Sequence, residues 1–432
     1  MNQHEPLPLT GIRVADFSWF GAGPIAGEVF ANLGAEVIRV ESESHMDGLR
    51  KGQPVPPGAE GPNVSGYFNN FNAGKLSFTL NLSLPEARTV ALDLLAKSDV
   101  MIENYTPRVI EKWGLTYDEV VKVNPRIIYA NMPMQGTWGP HRDFLGFGGV
   151  LAPVTGFTYL AGWPDRTPIG VGTNYPDYVI NPGHCVVAVL AALRYRERTG
   201  KGQRIELAQV ESTVSALGPA VMEYAVNGRV PERNGNRIAY AAPHGVFPCL
   251  PREQQGNLTA RQQTSAGGSN GRMMEDRWVA ITVFHDDQWE ALKDVMGRPA
   301  WADSEEFATL LGRKAAEDAL EEHIAQWTRT LSPEEAMRLL QARGVPAGVV
   351  QTAEDVLDHD EHLKAREYYV YLDHPEAGRN AYDGPQFRLS ETPAKLQDRA
   401  PLLGEHNDFV LREVLGYDDD RIAELLVNQV VY

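Results

Sequence analysis

Short apolar runs alternate with longer stretches of helical periodicity through the first half of this chain. Residues 11–41, "GIRVADFSWFGAGPIAGEVFANLGAEVIRVE", read as strand, turn, helix, strand. Ile12–Phe17 is a β-rich run, and Pro24 sits near a helix start, where its missing N–H is harmless. Gly34 ends that helix and "EVIRVE" is the second strand. The rhythm continues with a helix in "PEARTVALDLLAKS", a strand in "VMIEN", two short helices within 107–123 and a strand in "RIIYANM". Alternating strands and helices with apolar strands predict a parallel sheet covered on both faces.

Asn181-Pro182 open a long, broadly apolar helix, "GHCVVAVLAALRYRER", which "TGKGQ" breaks before "RIELAQVES" begins another element. The chain turns irregular over Val226–Ala242; "DRWVAITVF" is then a strand, 286–340 is helical, and "VPAGVV" resumes a strand. The predicted organisation is a large α/β domain in residues 1–218, a linker at 219–242, a smaller α+β domain at 243–340, and a return to the large domain at 341–432. Residues 250–274 hold few bulky apolar side chains and many Gly, Gln and Ser, and are expected to form a surface loop or partly disordered insertion.

Composition narrows the chemistry. With 40 basic against 57 acidic side chains the net charge is −17, which excludes a nonspecific nucleic-acid binder. A polyanionic ligand would need basic contacts gathered locally against that field. Two cysteines without C-x-x-C spacing point to a reducing, cytoplasmic setting. No basic start followed by an apolar stretch marks a signal peptide, and the longest apolar run, "CVVAVLAAL", is too short to span a membrane.

Individual motifs are modest. "SWFGAGP" (18–24) joins a strand to a helix, and its glycines allow close backbone approach to an anion. It is not G-x-G-x-x-G, and no acid stands at the ribose-binding distance. "TGKGQR" (199–204) lacks the spacing of a Walker A loop and reads as a helix C-cap followed by a turn. His141, His184 and His244 stand singly, so no metal site is expected, and no G-x-S-x-G elbow supports a Ser-His-Asp triad. One acid stands out: Asp177 in "GVGTNYPDYVINPGHC", between a glycine-rich approach and the long apolar helix. Residue chemistry alone leaves open an α/β enzyme with an anion-binding first turn, or a binding or scaffold protein.

The motifs taken in order resemble the class III CoA-transferase family, of the formyl-CoA and carnitine CoA-transferase type. They are "LTGIRVADFS…AGP", "LGAEVIRVE", "LNL…DLLAKSDVMIENYTP", "NPRIIYANMPMQG", "RERTGKGQRIELAQVES", "RGVPAGVVQTAEDV", "GPQFRLSETP" and "APLLGEHN". The match runs over nearly the whole chain. It implies a Rossmann-like large domain, an interlocked homodimer, and transfer of CoA from an acyl-CoA to a free carboxylic acid. Acyl-CoA and the acid are then the partners, and no tightly bound cofactor is needed.

The resemblance assigns the covalent nucleophile to Asp177; its partner N–H groups are expected from the start of the Pro182 helix or the Gly170–Gly172 turn. It lays CoA along Trp19, Phe20, Gly21 and Ala22, with adenine and phosphate contacts at Lys75, Asn104, Tyr105 and Lys112. Two departures matter. The basic residue the family places after the second strand's glutamate is Ser42 here, leaving Arg39 as the nearest basic substitute. The glycine-run loop of formyl-CoA transferases is replaced by "RNGNRIAYAAPHGVF", so oxalate specificity is not implied. Trp138, Phe144, Phe147, Tyr159 and Trp163 line either an apolar pocket or the core. Two other readings remain. One is an α-methylacyl-CoA racemase, whose G-H-D histidine has only the displaced His141 of "GPHRDF" as counterpart. The other is a non-catalytic subunit of a heteromeric transferase.

Overall fold

The structure, a computed structural model, describes residues 6–170, 172, 174–253 and 274–432. It divides into a first unit of residues 1–161, 168–231 and 361–432 and a second of 162–167 and 232–360.

The first unit is built on six parallel strands: β1 (Arg13–Asp16), β2 (Glu36–Glu41), β3 (Leu76–Thr79), β4 (Val100–Glu103), β5 (Ile128–Asn131) and β6 (Gln203–Glu206). Their order is β3-β2-β1-β4-β5-β6, so chain direction across the sheet reverses between β1 and β4. This is the mixed α/β, Rossmann-like arrangement, and such sheets hold ligands at the carboxyl ends of the strands where the order reverses. Both faces are covered, as the apolar strands predict. Val14, Val100, Ile102 and Ile128 face helix α1 (Ala22–Asn32) and the Asn181–Thr199 helix. Ala15, Met101 and Tyr129 face the Pro85–Ala96 helix and residues 410–431. The period of two thus feeds two cores from each strand.

Strand β3 is a sheet edge, and the late part of the chain covers it. Ser77 N–H donates to His406 Nδ1 (3.1 Å), Thr79 N–H to Asn407 Oδ1 (2.8 Å), and Asn81 N–H to the Val430 carbonyl (2.9 Å). The polar "AGKLSFTLN" context hid this strand in the sequence, and the polar "YVYLDHPEAGRNAYD" hid the hairpin of Tyr369–His374 with Gly378–Asp383.

The second unit is α+β: an antiparallel sheet with Trp278–Thr282 between His244–Pro248 and Ala347–Val349. Helices Asp286–Val295, Glu317–Thr328 and Pro333–Gln341 pack against it around the buried Trp289. Two boundaries are corrected. "VPAGVV" pairs inside this smaller sheet, so the return begins near 361 and not at 341. Part of the expected 219–242 linker is the helix Gly218–Asn227. The expectation for 250–274 falls mostly on 254–273, outside the described residues; at its ends Arg252–Glu253 and Met274–Glu275 pair antiparallel.

The continuous helix Pro176–Thr199 is long and apolar enough to cross a membrane by length and composition, but half of that window is buried. Cys185, Val189, Ala192 and Leu193 lie in the core beside α1, as in the central helix of a globular domain.

Candidate active site

The turn after β1 lies where the strand order reverses, and buried polar side chains fix nearly every residue of it. Asp16 accepts the N–H of Ser18 (3.0 Å) and its hydroxyl, while Arg39 donates to the Ser18 carbonyl. Asn104, just past β4, accepts from Trp19 N–H (2.8 Å) and donates to the Trp19 carbonyl (2.7 Å), joining the two strand ends across the reversal. Phe20 N–H donates to Asp47 Oδ2 (3.1 Å). Burial alone would raise the Asp16 pKa, but Lys75 and Arg39 hold it down to about 2. Helix α1 then starts with no side-chain cap, leaving its first N–H groups open to an anion.

Asp177 sits in a helical turn and not in the expected glycine-rich loop. Pro176–Ile180 form a wide π turn, closed by Asn181 N–H on the Pro176 carbonyl, that runs straight into the Asn181–Thr199 helix. Asn181 is itself buried, donating to Gln209 Oε1 (3.2 Å) and accepting the Ser212 hydroxyl, so the turn is anchored from below. The Asp177 side chain is buried. Its Oδ2 accepts the N–H of Gly148 (2.8 Å), the first residue of helix Gly148–Thr155. Among the described residues this donor lies in neither the Pro182 helix nor the Gly170–Gly172 turn. Burial raises the Asp177 pKa to about 6, against the opposing Gly148 hydrogen bond.

Two glycines make this approach possible. A Cβ at Gly148 would clash with Asp177 Oδ2 and lie 2.7 Å from Asn174 Cβ. A Cβ at Gly21 would lie 3.1 Å from Asp177 Cβ and 3.3 Å from the Tyr178 ring. The starts of α1 and of the 148–155 helix thus both abut the acid. Gly148 was missed in the sequence, where only the "FGG" triplet signals it.

The remaining predicted residues separate into two groups. Trp19, Tyr105 and Lys112 line one cavity of about 300 Å³, with Ser42, His45, Ser83 and Trp113, at the carboxyl ends of β1 and β2. Trp19 packs on Tyr105 and Tyr105 on Trp113, at ring separations of 5.8 and 4.9 Å. Lys112 is exposed. Arg39 and Lys75 are corrected: both are buried and occupied within the protein. Lys75 spends all three donors on Asp16 Oδ2 (2.9 Å), the Pro24 carbonyl (2.8 Å) and Asn72 Oδ1 (3.0 Å). Arg39 pairs with Asp16 and Asp47. An ammonium with no donor left cannot take a phosphate.

Among the aromatics, Phe147 stacks on Phe20 at 5.8 Å and 8°, one residue from the Asp177 donor, while Trp163 belongs to the second unit. All five are exposed and none is core. His141 stacks on Phe144 at 4.3 Å, and no histidine is a hydrogen-bond partner of the Asp177 carboxylate among the described residues. The described residues include no cluster fit to hold a metal ion.

Against known proteins, the profile of CoA-transferase family III matches residues 9–254 and 251–407. The chain belongs to this family. This CoA-transferase is 35% identical over 429 residues to the succinyl-CoA–L-malate CoA-transferase beta subunit of Chloroflexus aurantiacus, covering 98% of each chain. It is 31% identical over 431 residues to the formyl-CoA:oxalate CoA-transferase of Streptomyces coelicolor, covering 98% of this chain and 99% of the relative. The crystal structure of a CAIB/BAIF family protein from Brucella suis is similar with a TM-score of 0.81 at 29% identity, over 95% of this chain and 100% of that one. A class III CoA-transferase acts on an acyl-CoA and a carboxylic acid, and acyl-CoA is this enzyme's substrate.

Proposed function

We propose that this CoA-transferase works through a covalent intermediate on Asp177. The carrying observation is a buried carboxylate beside two helix starts, with one oxygen bonded by Gly148 N–H and no bulky neighbour at Gly21 or Gly148. The carboxylate attacks the thioester carbonyl; a C–O bond forms, the C–S bond breaks, and a mixed anhydride and CoA thiolate result. The thiolate attacks the aspartyl carbonyl, releasing the donor acid as its carboxylate and leaving an aspartyl-CoA thioester. The acceptor carboxylate and then the thiolate repeat the two exchanges, giving the new acyl-CoA and a free Asp177. No proton or electron is gained or lost. Each tetrahedral oxyanion needs fixed donors, and the Gly148 N–H with the uncapped first turn of α1 is suited to supply them. CoA would run from Asp177 over Trp19, Phe20, Gly21 and Ala22, past Asn104, to the cavity lined by Tyr105 and Lys112.

Succinyl-CoA, named as donor in several relatives, is the first thioester to try, against a panel of dicarboxylic and aromatic acids read by mass spectrometry. The mechanistic test incubates enzyme and acyl-CoA without acceptor, traps with hydroxylamine, and maps the modified peptide. Modification at any carboxylate but Asp177 overturns the proposal. The racemase alternative requires α-proton exchange, so deuterium entering the substrate from D₂O without an acceptor acid would favour it.

A second reading concerns assembly. Two relatives are named as beta and alpha subunits of one transferase, which favours testing for a heteromer beside the interlocked homodimer in a cytoplasmic setting. Full turnover by the purified chain alone would dismiss an obligatory second subunit.

A further inference from the structure

Phe20 has a left-handed backbone, with φ of +59°, at a bulky aromatic residue where that conformation is uncommon. A glycine would adopt it without strain, so the side chain must do something there. Its ring stacks on Phe147, whose neighbour Gly148 donates to Asp177. Its backbone leads directly into Gly21, which abuts Asp177 from the other side. One residue therefore braces both contacts on the acid.

Asp47 holds that brace. Its Oδ2 accepts the Phe20 N–H at 3.1 Å and the Arg39 guanidinium, and its Oδ1 accepts Leu49 N–H at 2.9 Å. The side chain is fully buried. Gly48 completes the seat, because a Cβ there would lie 2.8 Å from the Phe20 ring. The only acceptor Phe20 N–H has among the described residues is Asp47, which makes no hydrogen bond to Asp177 itself.

We propose that Asp47 is a positioning residue for CoA transfer: by holding Phe20 left-handed it sets the Gly21 and Gly148 contacts that aim the Asp177 carboxylate. The inference rests on Asp177 as nucleophile and extends that reading to a residue outside the reacting set. It predicts slower acylation without weaker CoA binding.

The test follows acylation of Asp177 by succinyl-CoA in a single turnover, with CoA affinity by calorimetry, in the wild type, Asp47→Asn, Asp47→Ala, Phe20→Gly and the Asp47→Ala/Phe20→Gly pair. Misplacing a reacting group by about 1 Å slows a step on the order of 10²-fold, and that loss is expected for Asp47→Ala with CoA affinity kept within about threefold. Asp47→Asn, which keeps an acceptor, should fall between, and it carries the comparison if the alanine variant does not fold. With glycine at 20 the backbone no longer needs holding, so removing Asp47 should then slow acylation by less than about threefold. Three results overturn the inference: acylation near wild type in a folded Asp47 variant, CoA affinity falling in step with rate, or equal losses in both backgrounds. If wild-type Asp177 takes no label, the transfer mechanism fails and this inference with it. If wild type is labelled and Asp47 is indifferent, only the positioning role fails.

Discussion

Asp177 pairs two properties that oppose each other in a folded protein. Its folded pKa of about 6 stands above the ordinary 3.8, so ionising it in place works against folding. The sign follows: the penalty is absent below the unfolded pKa, grows as pH rises between the two values, and is complete above about 6. A shift of that size corresponds to about 3 kcal/mol. Asp177→Asn should therefore abolish turnover yet raise stability in urea by ~1–3 kcal/mol at pH 8, with the gain shrinking toward pH 4. An acid that only capped a helix would instead lose ~0.5–2 kcal/mol on substitution and leave chemistry intact. The same pKa governs rate: single-turnover acylation should rise through an apparent pKa near 6 and then level off. A flat profile between pH 5 and 8 would separate the nucleophile from this carboxylate.

Lysines 75 and 112 make the complementary contrast. Lys75→Met strands Asp16 with one fewer partner in a fully buried network, so unfolding should become easier by about 3–5 kcal/mol. CoA affinity measured on the folded fraction should change little. Exposed Lys112→Ala should leave stability within about 0.5 kcal/mol while weakening CoA binding and flattening its salt dependence. Equal effects on CoA affinity would return Lys75 to the binding site.

Among the elements, β1, β2, β4, β5 and the helices between them were legible because their apolar residues follow one period each and end at Gly or Pro. Strand "EVIRVE" occupies Glu36–Glu41 as expected. The turn carrying Asp177 was not legible, and the cause is Pro182. A proline usually opens a helix, so the sequence places the start there. In the fold the helix begins six residues earlier, and the proline, which has no N–H to donate backward, is accommodated by the wide turn before it. Lys75 misled for a different reason. Charge and motif position cannot reveal that Asp16, Asn72 and the Pro24 carbonyl converge on one ammonium, since these partners meet only in the folded chain. Gly148→Ala tests the Asp177 turn as an element. The added methyl meets both Asp177 and Asn174, so acylation should drop by at least about 10²-fold. Near-normal rates would mean the two helix starts are not held as closely as described.

At the scale of the whole molecule, the Gly218–Asn227 helix is anomalous for a lone chain. It carries Val221, Met222, Tyr224 and Val226, and none of its residues is buried. Val187, Leu190 and Tyr195 on the long helix are exposed as well. Apolar surface of this kind marks an interface in soluble proteins. Light scattering at micromolar concentration should accordingly report a dimer, and Met222→Glu with Val226→Glu should shift it toward monomer. A wild-type monomer would leave the helix unexplained.

The cover over β3 has a consequence in time. The ribosome delivers the strands of the large sheet before residues 406–430, so until those emerge Ser77, Thr79 and Asn81 present unpaired N–H groups. An open edge of that sort recruits other chains. A chain stopped before about residue 406 would hold Asp177 and its glycines yet leave this margin of the sheet open to other chains.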